Sequence, residues 1–154
     1  MLTIIEADLK DSVHRAGIVE CIDAYAKHEM GGQRPLTAEV KAAMVPGLER
    51  APSKLILLAL SGANVVGVAV CFMGFSTFSA KPRLNLHDLS VLPEFRGKGV
   101  GRKLLESVIG RATELGCSAV TLEVRKDNEN ARHLYRSVGF SDWLSPLEFW
   151  ERKL

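Results

Sequence analysis

The sequence has few cysteines, and they form no recognisable pattern. There are three in 154 residues, widely spaced and each among apolar neighbours. This excludes a disulfide framework and favours a reducing compartment, so we expect a cytoplasmic protein. No histidine has a partner at metal-ligand spacing, so no metal site is predicted. The N-terminus also lacks the basic start and long apolar core of a signal peptide.

The sequence also lacks a strong charge of either sign. Twenty basic and 18 acidic side chains leave a net charge of +2, which is too small to indicate nucleic acid or an anionic membrane as the main partner. The balance is uneven, because residues 78–154 hold 13 basic and 10 acidic side chains. We therefore expect any anion site in the second half of the chain.

One long uncharged stretch, residues 55–80, needs an explanation. A stretch of this length could in principle cross a bilayer. However, Ser61, Gly62, Ala63 and Asn64 interrupt it with turn-forming residues, and both flanks are short and rich in strand-forming residues. We interpret it as two buried strands joined by a tight turn, and predict no membrane span.

The length and patterning predict a single domain over residues 1–154 with a mixed α/β (α+β) architecture. Apolar periodicity, helix caps and glycines indicate the order of its elements. Single strands are expected at 2–6, 84–91 and 119–124. A hairpin is expected at 54–75, and one or two final strands within 140–154. Helices are expected from a cap at Asp8 or Asp11 to His28, from Thr37 to Leu48, from Val100 to a stop at Gly116, and at 129–137.

The most informative segment joins the strand at 84–91 to the helix that begins at Val100. Gly97, Gly99 and Gly101 alternate there, with four cations close by: Arg96, Lys98, Arg102 and Lys103. Such a turn can point backbone N–H groups at an anion beside the positive end of a helix dipole, which suits a pyrophosphate. The alternative interpretation is a glycine-rich turn with solvated charges.

Two common nucleotide motifs do not fit this segment. Arg102 stands where the dinucleotide fingerprint G-x-G-x-x-G needs glycine, and the pattern G-x-x-x-x-G-K-S/T is absent. The run Arg96-Gly-Lys-Gly-Val-Gly101 instead resembles the acetyl-CoA signature Q/R-x-x-G-x-G/A of the GCN5-related N-acetyltransferase (GNAT) superfamily. Residues 128–140 resemble a second block of that family, N-x-x-A-x-x-L-Y-x-x-x-G-F.

The resemblance is close over residues 84–140 and implies a fold and a cosubstrate. The fold would be a mostly antiparallel, twisted sheet with helices on both faces and a splayed parallel strand pair. The cosubstrate would be acetyl-CoA, with its pantetheine arm in the gap between those strands. By resemblance, its contacts would be the backbone of Leu89 and Val91, the loop residues Arg96, Gly97, Lys98, Gly99, Val100 and Gly101, and the side chain of Asn128.

The implied reaction is attack of an amine on a thioester. A primary amine is mostly protonated at neutral pH, so a base must remove a proton, and the leaving thiolate benefits from an acid. Tyr135 occupies the position of the family's acid, although a tyrosine on a short helix can also be a core residue. No cysteine has a histidine nearby in sequence, so direct transfer is expected rather than an acyl-enzyme.

The base has more than one candidate. Many relatives carry Glu-Asp where this chain has His87-Asp88, and regular alternation would place His87 with Leu89 on one face and Asp88 on the other. His87 is interpreted either as a base or as a structural residue. Asp88 is interpreted as a structural carboxylate that satisfies nearby donors.

Glu123 is the second candidate base. It resembles the base of ribosomal-protein N-terminal acetyltransferases, but it could also be an outward carboxylate paired with Arg125 or with a cation on a neighbouring strand. Trp143 and Trp150 are expected to pack a final hairpin, line an acceptor pocket or form a dimer contact.

Two functions follow from these patterns. The first is an acetyl-CoA-dependent N-acetyltransferase that acts on a primary amine of a small molecule, peptide or protein. The alternative is a non-catalytic acyl-CoA-binding or sensing module, which the absence of glutamate at position 87 favours. Dimers are common among such enzymes, so a homodimer through the C-terminal strands is compatible with the resemblance. No motif identifies the acceptor.

Overall fold

A single five-stranded sheet, in the order β1-β2-β3-β4-β5, forms the centre of the fold. The computed structural model describes residues 1–142 and 148–154. The elements are β1 (Leu2–Glu6), α1 (Ser12–Lys27), α2 (Ala38–Arg50), β2 (Lys54–Ser61), β3 (Asn64–Ser76), β4 (Lys81–Val91), α3 (Val100–Glu114), β5 (Val120–Leu122) and α4 (Glu129–Ser137). The first four strands are antiparallel neighbours and β4 and β5 are parallel, which confirms the predicted mixed sheet.

The helices begin where the capping residues predict. Asp11, rather than Asp8, caps α1, because its Oδ1 accepts hydrogen bonds from the N–H groups of Val13 and His14 at 2.8 and 3.0 Å. Thr37 caps α2 in the same way. These side chains satisfy backbone donors that have no partner inside the helix, so they define the first turn.

Two apolar cores cover the two faces of the sheet. The first contains the buried face of α3, with Leu104, Leu105 and Val108 fully buried against the strands. The second contains Ile18 and Cys21 of α1 and Val45 of α2. Helices therefore lie on both faces, as expected, and the stretch at residues 55–80 supplies β2, β3 and their turn at the centre of both cores. Within the described chain, no helix combines the length and apolar character needed to cross a membrane.

A β-bulge interrupts β4. Val70 pairs with Asp88 while the next residue of β3, Cys71, pairs with Leu86, so His87 is an extra residue without a partner. The pairing of β4 with β5 ends at Leu86, although β4 continues to Val91. Beyond the bulge the two parallel strands therefore splay apart, as predicted.

One predicted strand is shorter than expected, and the prediction for 140–154 falls partly on residues 143–147, outside the described residues. The strand expected at 119–124 is only Val120–Leu122, because β4 turns away beyond Leu86 and leaves the following residues without a partner. The strands expected within 140–154 are absent from residues 140–142 and 148–154. Residues 141–142 and 148–154 are exposed, so burial does not favour a strand there. Trp150 is 85% exposed and does not pack a core, and Trp143 lies outside the described residues.

Candidate active site

The open edge of β4 is the first part of the site. The Leu92 N–H donates to the Val66 carbonyl at 3.0 Å, so this register directs the backbone of Leu92 toward β3. In an antiparallel ladder the neighbouring residues face the other way, which directs the backbone groups of Leu89 and Val91 into the gap beside β5. The Val91 carbonyl does face outward, because it accepts a hydrogen bond from Arg96 Nε at 2.9 Å.

The glycine-rich loop forms the second part. Gly97 and Gly99 have φ angles of 71° and 78°, a left-handed conformation that favours glycine, and a Cβ at either would meet no atom within 4 Å. Gly99 is the N-cap of α3 and supplies no side-chain cap. The first backbone bond of α3 is Lys103 N–H to the Gly99 carbonyl, at 3.1 Å. The N–H groups of residues 97–102 donate no loop or cap hydrogen bond to the described backbone, and those of the first turn lie at the positive end of the helix dipole, which suits a phosphate.

Three cations of this loop make different contacts. Arg96 turns back to the strand, Lys98 lies 5.5 Å from the centre of the Phe95 ring, and Arg102 donates to the Ser137 hydroxyl at 2.7 Å. The last contact joins the first turn of α3 to the end of α4. Gly101 brings the two helices close, because a Cβ there would lie 3.4 Å from the Leu134 side chain.

Tyr135 lies on α4, its ring centre 5.9 Å from that of Phe140. Burial, with a smaller contribution from nearby Tyr25, raises the pKa of Tyr135 to about 12. Its hydroxyl makes no hydrogen bond to any described residue. The phenol is therefore protonated at neutral pH and available as a donor.

Asn128 and Glu123 lie on the segment between β5 and α4. Asn128 is the N-cap of α4, and its Oδ1 accepts from the Ala131 N–H at 3.2 Å, which leaves its side-chain NH₂ group for other contacts. Glu123 follows the end of β5 and is exposed. The alternative in which Glu123 pairs with Arg125 is not observed, because Arg125 binds both carboxylate oxygens of Asp127, at 2.9 and 2.7 Å.

The bulge changes where His87 and Asp88 lie. The expected alternation is wrong, because Leu86, Leu89 and Val91 belong to the α3 face, whereas His87 and Asp88 both line a cavity on the α1–α2 face. The extra residue at the bulge shifts the alternation by one position. His87 packs edge-on against Phe72, with ring centres 5.6 Å apart.

Asp88 is not the satisfied structural carboxylate that the sequence suggested. Burial raises its pKa, and the nearby His87 lowers it to a smaller extent. Its carboxylate forms neither an ion pair nor a hydrogen bond with any residue in the described part of the chain. Asp88 is therefore a half-buried carboxylate with no side-chain or backbone partner among the described residues.

Tyr25 is a site residue that sequence patterning missed. Its spacing on α1 fits one more apolar position, but its hydroxyl donates to the Met30 carbonyl at 3.2 Å, and it lies near enough to Tyr135 to contribute to the raised pKa of that residue. It therefore anchors the connector between α1 and α2 close to α4. No sequence signal distinguishes such a tyrosine from a core residue, because only the tertiary fold brings α1 near α4.

The connector has a second anchor in Asp23 on α1. This carboxylate accepts the Leu36 N–H at 2.8 Å and forms ion pairs with Lys27 and Lys41 at 2.7 and 3.1 Å. The hydrogen bond from Lys27 is the largest cause that lowers the Asp23 pKa to about 2. Asp23 and Lys41 also line a cavity of about 610 Å³ between α1 and α2, where both charges are already paired.

Comparison with known proteins identifies the family. The model of the acetyltransferase (GNAT) family matches residues 21–140. The chain therefore belongs to this family. It is 36% identical to thialysine N-epsilon-acetyltransferase of Bos taurus over 89 residues, which are 58% of this chain and 51% of that protein. It is 40% identical to N-alpha-acetyltransferase RimI of Mycobacterium tuberculosis over 81 residues, 51% of this chain and 49% of that protein. The chain thus spans about half the length of these relatives.

Solved structures show the same fold across nearly the whole chain. An aminoglycoside acetyltransferase from an uncultured soil metagenomic sample, crystallised with sisomicin, gives a TM-score of 0.81 at 18% identity. The match covers 99% of this chain and 97% of that one. A ribosomal-protein-alanine N-acetyltransferase from Brucella melitensis gives 0.75 at 18% identity, covering 97% and 100%. These likenesses concern the fold, which is the one that the motifs implied.

Proposed function

We propose that this protein is an acetyl-CoA-dependent N-acetyltransferase that acts on a primary amine by direct transfer. The observation that carries the proposal is the gap between β4 and β5, which opens beyond Leu86 beside the uncapped N-terminus of α3. The gap supplies a strand edge for amide groups, and the helix supplies donors for phosphate. The relatives named as N-acetyltransferases support this combination.

The residues present fit acetyl-CoA. The backbone of Leu89 and Val91 would hold the pantetheine arm, the N–H groups of residues 97–101 would hold the pyrophosphate, and the Asn128 NH₂ group would contact the arm. The Val91 carbonyl already accepts from Arg96 Nε and has a second lone pair for the arm. If the Arg96 guanidinium turned to the phosphates instead, it would form a stronger, charge-assisted hydrogen bond there.

Bound acetyl-CoA supplies a thioester, so a C–N bond forms as the C–S bond breaks. The amine must first lose a proton, and Glu123 and His87 are the candidate bases. Tyr135 is the candidate acid, because its phenol is protonated at neutral pH and can donate to the leaving sulfur. Its burial among apolar groups strengthens that donation by excluding water.

The test is substitution of Tyr135 by Phe, which removes one oxygen and preserves the ring that packs on Phe140. We expect turnover, measured as free-thiol release from acetyl-CoA with pooled amines, to fall about 100- to 10,000-fold. Affinity for acetyl-CoA, measured by isothermal titration calorimetry, should stay within about twofold, since phosphate and strand contacts are unchanged. Thr113→Val, which also removes one hydroxyl but on the last turn of α3, is the matched control.

Two results would contradict parts of this proposal. An equal loss of affinity and turnover in Tyr135→Phe would show that the residue holds acetyl-CoA rather than acting as an acid. Binding of acetyl-CoA by the wild-type protein without thiol release from any amine pool would favour the acyl-CoA-binding module instead.

A further inference from the structure

A cavity of about 500 Å³ lies between α2 and the bulge of β4. Cavities that hold small organic ligands measure about 300–1,000 Å³. Two polar residues, His87 and Asp88, lie on its β4 wall, and its other residues are apolar, among them Val40, Met44 and Gly47 of α2 and Phe72 of β3. Val40 is 47% exposed, so apolar surface of this cavity remains in contact with water.

Asp88 is the group in this cavity that indicates a cationic ligand. It is partly withdrawn from water, and its pKa is raised by that burial, yet no cation of the described chain pairs with it. Asp23 in the neighbouring cavity shows the contrast, because two lysines and a backbone N–H satisfy its carboxylate. Asp88 is half-buried beside apolar side chains, where an ammonium partner stabilises a carboxylate more than it would on an exposed surface.

We propose that this cavity binds the acceptor and selects a single primary ammonium group carried on an apolar body, such as an aryl- or alkylamine. Asp88 would hold the ammonium, and the apolar wall of α2 and β3 would cover the body. Polyamines and aminoglycosides would be poor acceptors, because one carboxylate leaves their additional ammonium and hydroxyl groups desolvated without partners.

The place of Asp88 on β4 connects this cavity to the reaction. Asp88 directly precedes Leu89, and their side chains lie on opposite faces of the sheet. An amine held by Asp88 therefore lies one residue from the backbone edge that opens into the gap beside β5. This inference rests on the proposed function for its acceptor role, but the binding of the amine can be measured without turnover. Before attack the bound ammonium loses one proton to the base.

The substrate test compares amines of different character. Free-thiol release from acetyl-CoA is measured with 2-phenylethylamine, hexylamine, spermidine and kanamycin at equal concentrations. We expect kcat/KM for the first two to exceed that for the last two at least tenfold. Preference for spermidine or kanamycin would overturn the proposal while leaving N-acetyltransferase activity established.

The binding test uses two variants and needs no turnover. Asp88→Asn removes the charge but preserves the shape, so the Kd of 2-phenylethylamine in calorimetry should rise at least tenfold. The Kd of the uncharged analogue 2-phenylethanol should change less than twofold. An equal effect on both compounds, or no effect on the amine, would overturn ammonium recognition by Asp88.

Gly47→Leu tests the cavity itself. A Cβ at Gly47 meets no atom within 4 Å, so a leucine there can extend into the cavity without a backbone clash, and leucine also favours the helix. We expect 2-phenylethylamine binding to fall at least tenfold while the Kd of acetyl-CoA stays unchanged. Unchanged amine binding would refute the assignment of the cavity. Amine binding that is lost in both variants, in a protein that releases no thiol, would support the cavity and refute the enzyme.

Discussion

Deletion of His87 tests whether the bulge in β4 creates the cosubstrate gap. His87 is the unpaired residue of the bulge, and the core residues of β4 on either side are Leu84, Leu86, Leu89 and Val91. Without His87 these four residues alternate perfectly, so the shortened strand can pair regularly and bury the same side chains. The deletion therefore keeps the apolar pattern and removes the local distortion.

The expected loss of affinity for acetyl-CoA follows from the backbone groups of Leu89 and Val91 that the deletion would occupy. A regular β4 can continue to pair with β5 beyond Leu86, which would occupy the edge at Leu89 and Val91. Two hydrogen bonds to the pantetheine arm, worth about 0.5–1.5 kcal/mol each, would be lost. We expect the Kd of acetyl-CoA to rise about 5- to 150-fold in calorimetry, since every 1.4 kcal/mol is about tenfold.

The control is His87→Ala, which keeps the residue count and hence the bulge. Its acetyl-CoA affinity should match that of the wild-type protein, although it loses the edge-on contact with Phe72, worth about 1 kcal/mol of stability. A folded deletion variant that binds acetyl-CoA as tightly as the wild type would refute the reasoning, because the gap would then exist without the bulge.

Two further predictions concern stability and the phosphate loop. Asp23→Asn removes a carboxylate whose pKa is lowered from 3.8 to about 2 in the folded protein. We expect the free energy of unfolding in urea at pH 7 to fall by about 1–2 kcal/mol, a figure that allows for solvent screening at the two exposed lysines. Because the pKa of Asp23 is lower in the folded than in the unfolded protein, the difference in stability between wild type and variant should have its full size above pH 4 and disappear toward pH 2. A stability difference that persists at pH 2 would contradict the ion-pair explanation. Gly99→Ala should cost about 1 kcal/mol through its φ of 78° and weaken acetyl-CoA binding, whereas Gly110→Ala within α3 should be neutral or stabilising and leave binding unchanged. Intact binding in Gly99→Ala would argue against the loop as the phosphate site.

Local chemistry determined much of this protein. The caps Asp11, Thr37 and Asn128 and the apolar stripe of α3 specify helices because their interactions involve residues only a few positions apart. The loop at Gly97 and Gly99 is predictable for the same reason, since its positive φ angles and the helix end that follows are local properties. Fold class and the expected anion site could therefore be predicted from the sequence.

The tertiary structure decided the features that depend on distant partners. Alternation could not predict the bulge at His87, because a bulge is defined by the register against β3, and it moved His87 to the same face as Asp88. The length of β5 depended likewise on where β4 turns away. The proximity of Tyr25 to Tyr135 arises only in the folded protein, because α1 and α4 are far apart in the chain. Sequence patterning records which faces are apolar, whereas the pairing of elements far apart in the chain determines which side chains meet.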